Sequence, residues 1–417
     1  MTEANRPLAR RRDLLWFVLG LALPLPWVLA EALDGLGIPA EVVALLAGLA
    51  ILGAAFMLAW SCEIAERDIP QSLALLVLAL VGVLPEYAID LHFAWRAGVD
   101  PSYAAYATAN MTGANRILIG FGWSAVVLVA CHSSGAKYME IHPRQNLELR
   151  FLIWATLYSF LIPLGGEISL FDSAVLLILF GCYVRAAMGG DSPEVELEGP
   201  AALIDREFND LGRRAWAVAL FIFAAYAIWV SAEPFAESLV SMGRRYDIDE
   251  FLLVQWVAPL ASESPEFIVA IMFAMRLRGS IGIGALISSK VNQWTLLVGA
   301  LPIAFAISSG AFVGLPLDAR QTEELYLTSA QSMFAVILLS TLKVTRTHAV
   351  WLAVLFVGQL FFTSGNVRTG FTVMYLVASV GVLAFSGPDR RRAFFALARG
   401  SEADLSNTGG ASRTASE

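Results

Sequence analysis

An acidic residue inside a long apolar run occurs twice in this chain in the same local setting. Leu84-Pro85-Glu86 lies in one run, and Ser264-Pro265-Glu266 lies in another 180 residues later. A carboxylate at the centre of a membrane-spanning helix costs roughly 3 kcal/mol on insertion scales, so each copy needs a polar interior to face. The register extends beyond the dipeptide. Leu73, Val77, Leu80, Pro85, Glu86, Phe93, Ala94 and Arg96 match Leu253, Val257, Leu260, Pro265, Glu266, Phe273, Ala274 and Arg276. The chain therefore reads as an internally duplicated helical membrane protein.

Composition agrees with that class. Hydrophobic residues make up 57% of the 417 positions and charged residues 15%, so runs long enough to cross a bilayer fill most of the chain. Cys62, Cys131 and Cys182 lie in or at the edge of apolar segments, with no paired spacing that suggests a disulfide framework or a metal knuckle, and read as small buried apolar residues. The acidic balance comes largely from the stretch between Asp191 and Asp210 and from the end of the C-terminal tail, with Glu402, Asp404 and Glu417 against Arg413, and no basic patch suggests nucleic acid. Arg6, Arg10, Arg11 and Arg12 ahead of Leu14 to Leu33 resemble a signal peptide, but the many spans that follow favour an uncleaved first helix.

Apolar windows of about 20 residues predict twelve helices, near 14–33, 40–62, 72–96, 103–131, 150–166, 168–188, 214–238, 250–275, 281–309, 325–342, 348–364 and 369–387. The fifth and sixth meet in a tight hairpin at Gly165-Gly166-Glu167. Lys and Arg gather on alternate connections. Arg67, Lys137, Arg144, Arg150, Arg185, Arg206, Arg213, Arg214, Arg276, Arg278, Lys343 and Arg346 share one side with both termini, against Arg96, Arg244, Arg245, Arg320 and Arg368 on the other. The positive side is cytoplasmic, so both termini are expected in the cytoplasm and the chain in the cytoplasmic (inner) membrane. On this topology the Glu86 helix runs outward and the Glu266 helix inward, and the two copies are inverted. Inverted five-helix repeats are a transporter architecture with a midplane site. The expected organisation is a basic segment and extra helix (1–38), a first repeat (39–188), a polar cytoplasmic linker (189–212), a second repeat (213–365), and an extra helix with a disordered tail (366–417).

The next helix of each copy carries a second polar group: Asn110-Met111-Thr112-Gly113-Ala114-Asn115 in the first, Ser288-Ser289-Lys290-Val291-Asn292 in the second. Asn115 and Asn292 match, and Gly122 and Gly299 match seven residues beyond them. Amide oxygens suit hard cations, and a helix-interior proline releases a backbone carbonyl beside its carboxylate. Two carboxylates, such carbonyls and Asn oxygens together make a cation cage. Asp90 lies one turn beyond Glu86 on the same face. Glu63, Glu167, Asp172, Glu233 and Glu237 fall near span ends and read as interfacial, as does His92.

At these residues the chain resembles the calcium/cation antiporter superfamily, which includes the sodium/calcium exchangers. Members carry two inverted repeats, each with a Pro-Glu helix followed by a helix with a Gly-Ser-Asn motif. The resemblance covers roughly 71–130 and 250–308. It implies an all-α polytopic fold of exchanger type, with Glu86 and Glu266 as ligands of the transported cation and Asn115 and Asn292 beside them. Asp90, Glu263, Ser262 and Asn110 complete the candidate ion-binding set. The family's Thr-Ser pair is replaced by Gly82-Val83 and Ser262-Glu263, Gly-Ser-Asn becomes Gly113-Ala114-Asn115 and Lys290-Val291-Asn292, and a later polar position holds Leu118 or Thr295. Hydroxyls suited to sodium are mostly gone, and two cations, Lys290 and Arg116, enter the same region. Either cation is placed to pair with Glu86, Asp90, Glu263 or Glu266.

The resulting expectation is a secondary active cation antiporter, with calcium the family default, exchanging against protons or sodium and using no resident cofactor. Its partners are inorganic cations and the lipid bilayer; oligomeric state is left open. The alternative is a non-transporting membrane protein whose exchanger-like site is closed by Lys290 and Arg116. An intramembrane enzyme is disfavoured, since no nucleophile motif or histidine cluster surrounds the acids.

Overall fold

The computed structural model describes residues 6–32, 37–65, 67–68, 83–188, 197, 199–360, 364–385 and 387–400. Among them, nine helices are long and apolar enough to cross a membrane: Arg10–Glu31, Ala40–Ala65, Tyr103–Ser134, Pro143–Gly165, Leu170–Ala187, Asp210–Tyr246, Glu250–Met275, Gly279–Ser309 and Gly365–Phe385. The other three expected spans correspond to helices Leu84–Ala97, Ala319–Leu339 and Arg346–Leu360. The first part of the expected 72–96 span, with Leu73, Val77, Leu80 and Gly82, lies outside the described residues.

The chain divides into two compact units, and each draws on both halves of the sequence. One comprises residues 1–93 and 184–265, the other residues 94–183 and 266–417. In the first unit the Ala40–Ala65 helix packs along Asp210–Tyr246. Small residues permit this approach: a Cβ on Gly48 would stand 3.0 Å from the Phe235 ring. The N-terminal segment breaks at Leu23-Pro24 between helices Arg6–Ala22 and Leu25–Ala32, because a proline cannot donate to the preceding turn. The Trp27 indole donates to the Val230 carbonyl at 3.0 Å and fixes the second piece to the long helix.

In the second unit the Ala319–Leu339 helix is the core element, buried along almost its whole length and packed on Gly365–Phe385, Asn146–Ser159 and Tyr103–Ile117. Two short antiparallel ladders join its connections. Strand β1 (Tyr138–Glu140) pairs with β4 (Lys343–Thr345), and β2 (Glu167–Ile168) pairs with β3 (Leu315–Pro316). Gly166, at φ 70°, makes the tight hairpin expected between the fifth and sixth spans.

Long-range ties at helix ends connect loops of like expected side. Arg10 meets Glu207, Arg67 meets Asp205, β1 meets β4, and Arg390 donates to the carbonyls of Ile337 and Leu338, all on the basic side. Arg245 meets Glu41, His92 meets Glu237, the Ser308 hydroxyl donates to the Trp95 carbonyl, and Arg368 meets Glu323, all on the other.

Three expectations need correction. The span read as 214–238 is a 37-residue helix, Asp210–Tyr246, whose basic first turns fall outside any apolar window. Inside the expected linker, Gly199–Glu207 is a helix with Ala201, Leu203 and Ile204 buried. The expected disordered tail begins with a helix, Pro388–Arg399, which buries Phe394 and Leu397. Both short helices are amphipathic at the helical period within polar surroundings, a pattern a hydropathy window averages away. Residues 401–417 lie outside the described residues.

Candidate functional site

The candidate ligands fall into two sets, one in each unit. In the first unit, Glu86 sits in the first turn of Leu84–Ala97 with Pro85 just ahead, where a missing N–H costs nothing. Glu86 is 2% exposed and Asp90, one turn on, is fully buried. Ser262 and Glu263 lie on the Glu250–Met275 helix, and Glu263 is 2% exposed. Pro259 and Pro265 are both interior to this helix. Pro265 cannot donate to the carbonyl of Ala261, so that oxygen is left by its own helix immediately before Glu266. The Ser262 hydroxyl donates to the carbonyls of Ala258 and Pro259 at 3.4 Å, turning toward its own backbone.

In the second unit, Glu266 is half-buried, and its Oε2 accepts from the Ser289 hydroxyl at 3.1 Å. Ser289 belongs to the Ser288-Ser289-Lys290 stretch, yet nothing in its spacing marked it as a partner of the carboxylate. Lys290, fully buried on the same helix, reaches the Asn115 side-chain oxygen at 2.6 Å and the Asn115 carbonyl at 3.3 Å. Its ammonium also lies 4.3 Å from the centre of the Trp294 ring. The amide nitrogen of Asn115 donates to the Met111 carbonyl at 2.8 Å, which fixes the amide so that its oxygen faces the lysine. An ammonium thus occupies the acceptor that the sequence assigns to a cation. Asn110 is fully buried on the Asn115 helix, and Asn292, 2% exposed, closes the α-helical part of the Lys290 helix.

Both polar helices widen into a π-helical turn directly after these residues, over Leu118–Trp123 in one and Gln293–Leu297 in the other. Such turns are rare and recur at functional sites. The Glu266-bearing helix packs closely on both helices: a Cβ on Gly122, in the first π-helical turn, would lie 2.9 Å from the Phe267 ring, and one on Gly282, in the α-helical part of the Lys290 helix, would lie 2.5 Å from the Ala270 carbonyl.

Arg116 has a partner that the sequence did not reveal. Its Nη2 lies 2.6 Å from Glu324 Oε2, with both side chains at most 4% exposed. The expected span began at 325, whereas the helix begins at Ala319 and carries Glu324 into the interior. Among the described residues, no group of three or more His, Cys, Asp and Glu has the arrangement of a resident metal centre.

A family model described as "Sodium/calcium exchanger protein" matches residues 39–189 and 216–365. The chain belongs to the calcium/cation antiporter superfamily. It is therefore a multi-pass membrane protein of a transporter family. A crystal structure of an H+/Ca2+ exchanger, CAX, is similar at 44% identity with a TM-score of 0.88, over 95% of this chain and 99% of that one. The chain shares its fold with the Ca2+/H+ antiporter protein YfkE, at 16% identity and a TM-score of 0.60 over 82% and 98% of the two chains. It also shares its fold with the sodium-calcium exchanger NCX_Mj, at 17% identity and a TM-score of 0.54 over 78% and 99%. A relative, the uncharacterized membrane protein MJ0091 of Methanocaldococcus jannaschii, is 24% identical over 54% of this chain and 68% of its own.

Proposed function

We propose that this antiporter-family chain exchanges calcium against protons across the cytoplasmic membrane by alternating access, with both termini in the cytoplasm. The observation that carries the reading is the 44% identity, over 95% of the chain, to a protein titled an H+/Ca2+ exchanger. The reading takes the twelve helices as two inverted five-helix repeats plus one extra helix at each end. Glu86 and Glu266 are the central ligands, with Asn115, Asn292, Asp90, Glu263, Ser262 and Asn110 as the supporting set. Carboxylate and carbonyl oxygens suit calcium.

Protons are favoured over sodium because hydroxyls are scarce and Lys290 already supplies a cation at Asn115. Lys290 is then a built-in counter-charge, and Glu263, Glu266 or Lys290 itself carries the coupled proton.

The test is calcium uptake into proteoliposomes of the purified protein under an imposed proton or sodium gradient, with Glu266→Gln as control. Proton-driven uptake that Glu266→Gln abolishes supports the reading; sodium-driven uptake replaces the coupling ion. A second reading, a closed exchanger-like site, draws on the buried Lys290 ammonium at Asn115. Arg116 adds little to it, since Glu324 neutralises that charge. Absence of flux from the folded protein, with flux gained by Lys290→Gly, would favour the closed site.

A further inference from the structure

A buried polar cluster in the second unit joins the last membrane helix to the segment that carries Asn115. That helix, Gly365–Phe385, lies beyond the family match except for its first residue. Gln331 Nε2 donates to the Arg116 carbonyl at 3.2 Å, at the entrance to the π-helical turn. The Arg116 guanidinium meets Glu324 at 2.6 Å and Gln359 at 3.2 Å. From the last helix, the Tyr375 hydroxyl lies 3.4 Å from Gln359 Nε2, and Arg368 Nε lies 3.7 Å from Glu324 Oε1. Tyr375 is fully buried.

We propose that Arg368 and Tyr375 are positioning residues for cation binding. Through Glu324 and Gln359 they hold Arg116, and with it the register at which its neighbour Asn115 presents its oxygen. The proposal rests on the reading of Asn115 as part of the cation site. A clamp matters there because the helix changes from i→i+4 to i→i+5 hydrogen bonding just after Asn115, over Leu118–Trp123, so the register of Asn115 is set at a break in the regular ladder. Packing alone does not account for the cluster, since apolar side chains of similar volume would join these helices without desolvating two charged groups.

The test uses full-length protein in proteoliposomes, with Tyr375→Phe, Arg368→Gln and the conservative Arg368→Lys. Calcium half-saturation, maximal uptake rate, thermal midpoint and amide exchange over residues 115–123 are measured together. Tyr375→Phe and Arg368→Gln are expected to raise half-saturating calcium about threefold to tenfold at a nearly unchanged maximal rate, with Arg368→Lys partly restoring it. Exchange over 115–123 is expected to quicken about tenfold. Tyr375→Phe, the smaller change, decides if Arg368→Gln does not fold. Unchanged half-saturation and exchange, or a fall in thermal midpoint with neither altered, overturns the proposal. If the wild type moves no cation, the antiporter reading fails by itself, and the exchange measurement still decides whether the last helix clamps this segment.

Discussion

The ammonium of Lys290 stands 2.6 Å from the side-chain oxygen of Asn115 and 4.3 Å from the centre of the Trp294 ring. A charge-assisted hydrogen bond of this kind contributes about 1.5–3 kcal/mol, and desolvation of the ammonium opposes it with a similar magnitude. Lys290→Met, close in length and uncharged, is therefore expected to fold with a thermal midpoint within a few degrees of wild type. Its calcium uptake is expected to follow a different pH dependence, because the resident positive charge beside the cation site is gone. A pH profile identical to wild type would remove Lys290 from the coupling step.

Ser289 makes a narrower test of the same site. Its hydroxyl donates to Glu266 at 3.1 Å and orients the carboxylate. Ser289→Ala removes about 1–2 kcal/mol of that interaction, so half-saturating calcium is expected to rise about fivefold to thirtyfold. Glu266→Gln is expected to abolish uptake, since the ligand charge itself is lost. Radiotracer uptake at a range of calcium concentrations separates the two outcomes.

The Arg116–Glu324 pair predicts strong non-additivity. Glu324→Leu leaves a guanidinium buried beside an apolar side chain and is expected to cost about 3–5 kcal/mol. The double variant Arg116→Met with Glu324→Leu removes both charges and is expected to recover most of that loss. Thermal midpoints of the two single variants and the double variant in detergent close the cycle. A loss in the double variant equal to the sum of the two single losses would show that the charges do not act as a pair.

How far these features were visible beforehand follows from what each depends on. The acids at Glu86 and Glu266 stand out because a charge in an apolar run is rare and its recurrence at matching positions rarer. Lys290 and Arg116 were visible for the same reason, but their partners were not. Asn115 and Glu324 are reached across helices, and no periodicity along one helix reports a contact with another. Glu324 lies one residue before the apolar window of its span, although its helix starts at Ala319. The π-helical turns at Leu118–Trp123 and Gln293–Leu297 leave no compositional trace. Helices Gly199–Glu207 and Pro388–Arg399 bury only a few apolar residues each and are anchored by long-range polar ties, such as Glu207 to Arg10 and Arg390 to the Ile337 carbonyl.

Asp68 offers a pH test outside the membrane-spanning segments. Arg214 Nη2 lies 2.8 Å from its Oδ1, and Arg213 Nη2 lies 3.0 Å and 3.1 Å from its two oxygens. The hydrogen bond from Arg214, and then the one from Arg213, hold the carboxyl below the ordinary aspartate range, with partial burial opposing them. A depressed folded-state pKa stabilises the protein above the unfolded value of about 3.9, and the contribution is lost as pH falls through the folded value. Asp68→Asn is thus expected to lower stability at neutral pH by about 1 kcal/mol or less, the magnitude suited to a partly exposed pair. The difference from wild type should narrow in acid, once the wild-type carboxyl is itself protonated, and should shrink in high salt. Thermal midpoints of both proteins in detergent at neutral and acid pH measure it. A difference that stays constant with pH would mean that Asp68 contributes through packing rather than through its charge.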